Sequence, residues 1–126
     1  MATNKRIFIA FAVEDKTYRD FLVGQSKLKK SPFDFNDFSV KEPWDAKWKT
    51  NCRSRIKGCD GVIALISKNT AKADGQLWEI QCAYEESVPT MLMWIDENRP
   101  AVPALIKGKL INVWSWDNLV NFIGRL

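Results

Sequence analysis

Residues 61–86 read GVIALISKNTAKADGQLWEIQCAYEE, and this stretch decides the fold. Val62 to Ile66 is an unbroken apolar run, which suits a strand covered on both faces. Ser67 to Ala73 is a polar loop, and Asp74 opens a helix. Near the start of that helix stands Glu79, beside Trp78 and one residue before the apolar Ile80. In an open α/β sheet, ligands collect outside the carboxyl ends of the strands. A buried strand, a polar rim and a helix with one carboxylate near its start therefore make Glu79 the first candidate for a functional group.

Working outward, Arg6 to Ala12 (RIFIAFA) is a second apolar run and predicts a first strand. Asp15 follows as a cap for a helix in which Tyr18, Phe21, Leu22 and Gln25 share a face. Lys27, Lys29, Lys30 and Pro32 mark a solvated turn. Phe33 to Val40 alternates aromatic and polar residues, as an edge strand does. Glu42-Pro43-Trp44-Asp45 leads into a second helix, with Asp45 as its cap and Trp48, Cys52, Ile56 and Cys59 as its inner stripe. Gly58 and Gly61 bracket the turn into the central strand.

Beyond the Glu79 helix, Thr90 to Ile95 predicts another buried strand, followed by a long connection with one helical turn. Leu110 to Trp114 is the last strand. Asp117 caps a terminal helix with a stripe of Leu119, Val120, Phe122, Ile123 and Leu126. Strands alternating with helices imply a parallel sheet with helices on both faces and right-handed crossovers. The expected architecture is a flavodoxin-like three-layer α/β sandwich, mostly parallel and five-stranded, in the order 2-1-3-4-5. All of residues 1–126 are expected to form one domain. The first and third strands then lie side by side. Their carboxyl ends bring the Phe11–Asp15 loop, the Ser67–Asp74 loop and the start of the Glu79 helix around one crevice.

The bulk composition excludes several chemistries. The chain has no histidine, and its three cysteines (Cys52, Cys59, Cys82) include no CxxC pair. Common zinc sites and every histidine-dependent triad are thereby removed, and the thiols read as buried small hydrophobes. No metal site is expected. A net charge of +4 is mild. Lys47, Lys49, Arg53, Arg55 and Lys57 read as a solvated helix face rather than a phosphate-facing patch, so nucleic acid is not the expected partner. No apolar run approaches the ~20 residues that cross a bilayer, and the basic N-terminus runs straight into Glu14 and Asp15. A cytoplasmic protein with no membrane partner is the expectation.

Two activities of this architecture fail on the residues present. Phosphoryl transfer needs an aspartate at the end of the third strand, where Ile66-Ser67 stands. Flavin binding needs a Ser/Thr/Gly-rich phosphate loop after the first strand, and AVEDKT is too acidic to hold a phosphate. There is no GxGxxG and no P-loop. A lone carboxylate suits a different task. Breaking a glycosidic bond passes through an oxocarbenium-like state that a nearby carboxylate stabilises. When the leaving group is nicotinamide, already cationic in the nucleotide, no general acid is required. On its own, however, a glutamate in the second turn of a helix is more often solvated.

Three motifs add to this. RIFIAFAVEDKTYRDF resembles the opening strand and helix of TIR domains. LISKNTAKADGQLWEI is similar to the TIR segment in which a strand ends in Ser, a polar loop follows, and a helix bears the glutamate of NAD-cleaving members. EPWDAKWK has a similar Trp-acid-Ala/Lys counterpart in short bacterial TIR-like proteins, including the NAD-consuming sensors of Thoeris anti-phage defence. The resemblance implies NAD+ as substrate rather than cofactor, with Glu79 contacting the nicotinamide-side ribose. It implies nicotinamide as one product, and ADP-ribose or a cyclic isomer as the other, acting on a separate effector. Phe11, Ala12 and Asp15 would line the first-strand loop, Trp44 and Asp45 the mouth of the second helix, with Ser67 and Trp78 completing the substrate contacts. Ala10 stands where many TIR strands have Ser. Gly75 stands four residues before Glu79, where NAD-cleaving TIR domains often place a Trp, and Trp78 is adjacent to the Glu instead. The alternative is a non-catalytic TIR-like module that signals by self-association.

Overall fold

A computed structural model describes residues 5–28, 33–36, 46–95 and 100–126; the side chains of residues 28, 33–36 and 46–48 are not among the described groups. Five strands, β1 (Lys5–Ala10), β2 (Phe33–Asn36), β3 (Gly61–Ile66), β4 (Thr90–Trp94) and β5 (Ile111–Asn112), form one sheet in the order β2-β1-β3-β4-β5. Every pairing is parallel. Among the described residues four helices connect or follow the strands: α1 (Lys16–Leu28), α2 (Ala46–Lys57), α3 (Asp74–Glu85) and α4 (Trp116–Gly124).

The apolar runs dictate this arrangement. All six residues of β3 are buried, as expected of a central strand covered on both faces. Alternation along the strands sorts the core into two layers. Phe8, Ala10, Val62, Ala64, Ile66 and Leu92 face α2 and α3, where they meet Cys52, Ile56, Ile80 and Ala83. Ile7, Ile9, Ile63, Leu65, Met91 and Met93 face α1 and α4, where they meet Leu22, Leu119, Phe122 and Ile123. Gly61 opens β3 directly beneath the end of α4. A Cβ there would lie 2.9 Å from Leu126 Cδ1, so any larger residue would have to displace the Leu126 side chain.

Several local expectations are corrected. Asp15 ends a 3₁₀ turn (Val13–Asp15) ahead of α1 and turns its carboxylate to another loop, described below. On α1, Leu22 is buried but Phe21 is 64% exposed, so the helix buries a narrower stripe than its apolar spacing implied. The cap of α4 is Ser115, whose hydroxyl accepts from the Asn118 N–H at 3.0 Å, and not Asp117, which sits in the first turn. Val120 faces outward from that helix. β5 is two residues rather than five. The helical turn expected in the preceding connection is a 3₁₀ turn at Ala104–Ile106. Asp45 as a cap and residues 37–40 as strand lie outside the described residues.

Candidate functional site

The carboxyl ends of β1 and β3 meet α3 at the point where the sheet order reverses. Two loops and one helix converge there. After β1, Phe11 and Ala12 are buried, and the guanidinium of Arg19 lies 5.3 Å over the Phe11 ring. Asp15 is 3% exposed. Its carboxylate accepts from Ser67 Oγ at 2.5 Å and from Asn69 Nδ2 at 2.9 Å. Ser67 Oγ in turn accepts from the Asn69 N–H, and the Ser67 N–H donates to Thr70 Oγ1. Asp15 and Ser67, both candidate substrate residues, are thus bonded to one another. They tie the loop after β1 to the loop after β3.

Gln76, in the first turn of α3, was not legible in advance. It is 2% exposed, and its Nε2 donates to the carbonyls of Ala10 at 3.0 Å and Leu65 at 2.6 Å. The β1–β3 ladder ends at the pair Ala10–Ala64, so the amide forms one further rung between the separating strands. Two carbonyl neighbours require the amino nitrogen to face them, which fixes the amide orientation. Its Oε1 is left buried with no hydrogen-bond partner among the described residues. The signal available was spacing: Gln76 lies three residues before Glu79 and four before Ile80, on the helix face that is buried.

Glu79 is 2% exposed. It is not a solvated surface glutamate. Its side chain lies between α3 and α2, where the Cys52 thiol donates to Oε2 at 3.7 Å. Burial, and then the charge of Glu79 and the neighbouring Cys82, push the Cys52 thiol well above its ordinary range. Cys52 is therefore a protonated donor at any physiological pH. Taking a carboxylate out of water into a protein interior costs on the order of several kcal/mol. Leu or Ala at this position of α3 would incur no such cost. Strongly buried ionisable groups in a cleft mark functional sites for this reason.

Trp78 is half-buried beside Glu79, and the guanidinium of Arg53 lies 5.5 Å from its ring. Arg53 also bonds Glu86 at 2.8 Å and Glu85 at 2.9 Å, which lowers the Glu85 pKa. One member of the basic row on α2 is thereby neutralised within the molecule by α3 rather than left to solvent. Trp44 and Asp45 lie outside the described residues. Among the described residues no group of three or more Cys, Asp or Glu could hold a metal ion, and no helix is long and apolar enough to cross a membrane.

Comparison with solved structures supports the topology. The chain is similar to the TIR domain of the Toll-related receptor TRR-2 from Hydra magnipapillata, with a TM-score of 0.66 over 94% of this chain and 91% of that one. Identity is 14%, so the likeness is one of fold. Comparison with curated protein sequences finds no match. A family profile described as the TIR-like domain of the Thoeris protein ThsB matches residues 8–100, which run from within β1 through β4 and include Gln76 and Glu79. With most of its length matched, the chain belongs to the family of ThsB TIR-like domains.

Proposed function

We propose that this protein cleaves NAD+ at the bond between nicotinamide and ribose, with Glu79 as the catalytic carboxylate. Departure of neutral nicotinamide from its cationic form leaves positive charge on the ribose, and a carboxylate held at short range stabilises that charge. ADP-ribose or a cyclic isomer is the second product, and serves as the signal to a separate effector in anti-phage defence. The reaction needs no cofactor and no histidine, and takes place in the cytoplasm. Gln76 Oε1, a buried acceptor one turn from Glu79, offers a place for a substrate N–H or O–H. Half-buried Trp78 supplies apolar surface for a ring, while Phe11 and Ala12 pack beneath the loop after β1.

The observation that carries this reading is the burial of Glu79 at 2% exposure in a chain of the ThsB TIR-like family. The same burial means that substrate entry has to uncover the carboxylate. Activity should therefore depend on a rearrangement between α2 and α3, for which self-association is the proposed trigger. A second reading, a module that signals by self-association without catalysis, is favoured by Gly75 in place of an aromatic residue. Nicotinamide release from NAD+ by the purified protein separates the two. Glu79→Gln should reduce release by about 10²-fold or more, the scale on which one electrostatic contact to a transition state acts. Equal release by both proteins would remove Glu79 from the mechanism.

A further inference from the structure

A cavity of about 460 Å³ opens at the amino end of β4, whereas Glu79 serves the carboxyl ends of β1 and β3. Its lining is of three kinds. Met91, Leu92 and Phe122 come from the two core layers and give it an apolar floor. Tyr84 contributes a ring, and burial holds its phenol above the ordinary range, so it stays neutral. Lys109 and Arg125 supply two cations, and none of the eleven lining side chains is acidic. Lys109 follows Gly108, whose φ of +83° forms the turn that brings the Lys109 ammonium 4.5 Å over the Tyr84 ring.

The shortness of β5 adds backbone groups. β5 pairs only with Leu92 and Met93, so Thr90 has no partner residue there. The Val62 N–H takes the Pro89 carbonyl at 2.9 Å, which turns Pro89 toward β3. Alternation along the strand then turns the N–H and C=O of Thr90 outward, to the cavity it lines. The volume falls within the range of small-molecule sites, ~300–1,000 Å³, and the lining is mixed, with polar groups beside an apolar floor.

We propose that this cavity is a second small-molecule site, selective for a flat organic dianion of nucleoside-monophosphate size. A purely apolar ligand would leave the two cations and the Thr90 backbone unused, and an inorganic anion would leave the apolar floor and the Tyr84 ring wet. A ring on that floor with its dianion between Lys109 and Arg125 uses every part. The site is separate from Glu79 and independent of the activity proposed for it.

The test is a titration of the full chain with AMP, followed by amide chemical shifts, with adenosine and inorganic phosphate as separate probes. AMP should give saturable shifts at Thr90, Lys109 and Asn112, and adenosine and phosphate should each bind about tenfold more weakly or worse. Lys109→Glu combined with Arg125→Glu, both exposed in the structure, should weaken AMP by about tenfold or more, while Lys109→Arg retains binding. Glu79→Gln should leave the titration unchanged. Absence of saturable shifts, equal binding of phosphate or adenosine alone, or binding unaltered by the double charge reversal would overturn the proposal.

Discussion

The two helical layers cover the same sheet but follow different rules. Against α1 and α4, the sheet presents Ile7, Ile9, Ile63, Leu65, Met91 and Met93 to further hydrocarbon. The buried hydroxyl of Ser26 on α1 bonds its own helix, at the Val23 carbonyl. Against α2 and α3, the same strands meet a layer that also buries Gln76, Glu79 and the thiols of Cys52 and Cys82. One layer buries almost nothing but hydrocarbon. The other accepts polar groups that an apolar core would do better without, and it is the layer beside the sheet's point of reversal.

Substitutions can break this contrast or sharpen it. The largest loss of stability belongs to the dry layer. Leu119→Ala should lower unfolding free energy by about 2–5 kcal/mol in chemical denaturation. Any nicotinamide release by the fraction that remains folded should be unchanged, and a specific loss of turnover would blur the division. Gln76→Ala comes next. It strips the donor from two buried carbonyls, for a cost of about 1–3 kcal/mol, and it should also weaken activity because it lies in the polar layer.

Cys52→Ala should show its effect chiefly through pH. A thiol bound more tightly to its proton in the folded state stabilises the fold below its unfolded value of 9.0, and that contribution falls away as pH rises beyond it. Wild-type stability should therefore drop above this pH by up to about 1.4 kcal/mol per pH unit for the one thiol, and the alanine variant should lose that share while the raised Cys82 thiol and Tyr84 phenol keep theirs. Melting curves from neutral pH to about pH 11 would reveal it. Smallest of all is Glu85→Gln. It removes the exposed one of the two partners of Arg53, so the melting point should shift within measurement error.

The sheet order was legible because β1, β3 and β4 are continuous apolar runs separated by helical spacing. Parallel topology follows from that pattern with few alternatives. Caps were less legible, since Asp15, Ser115 and Asp117 all have the chemistry to cap a helix. Which carboxylate or hydroxyl does so depends on long-range partners. Asp15 meets Ser67 and Asn69 more than fifty positions away in the chain. Of the site, Glu79 could be singled out by residue type and motif, but its burial could not, because it is set by the approach of α2. Gln76 was missed because a glutamine in a first turn carries no chemical signature until the two carbonyls it spans are known. β5 is shorter than its apolar run because Leu110 and Val113 are mostly exposed at the sheet edge rather than paired.

The most direct test measures turnover and stability together on Glu79→Gln. A group kept for chemistry at a cost to the fold should, when neutralised, lose nicotinamide release while the melting temperature holds or rises. That dissociation is the predicted result. Unchanged release, or a variant that loses stability while its folded fraction still turns over NAD+ normally, would contradict it.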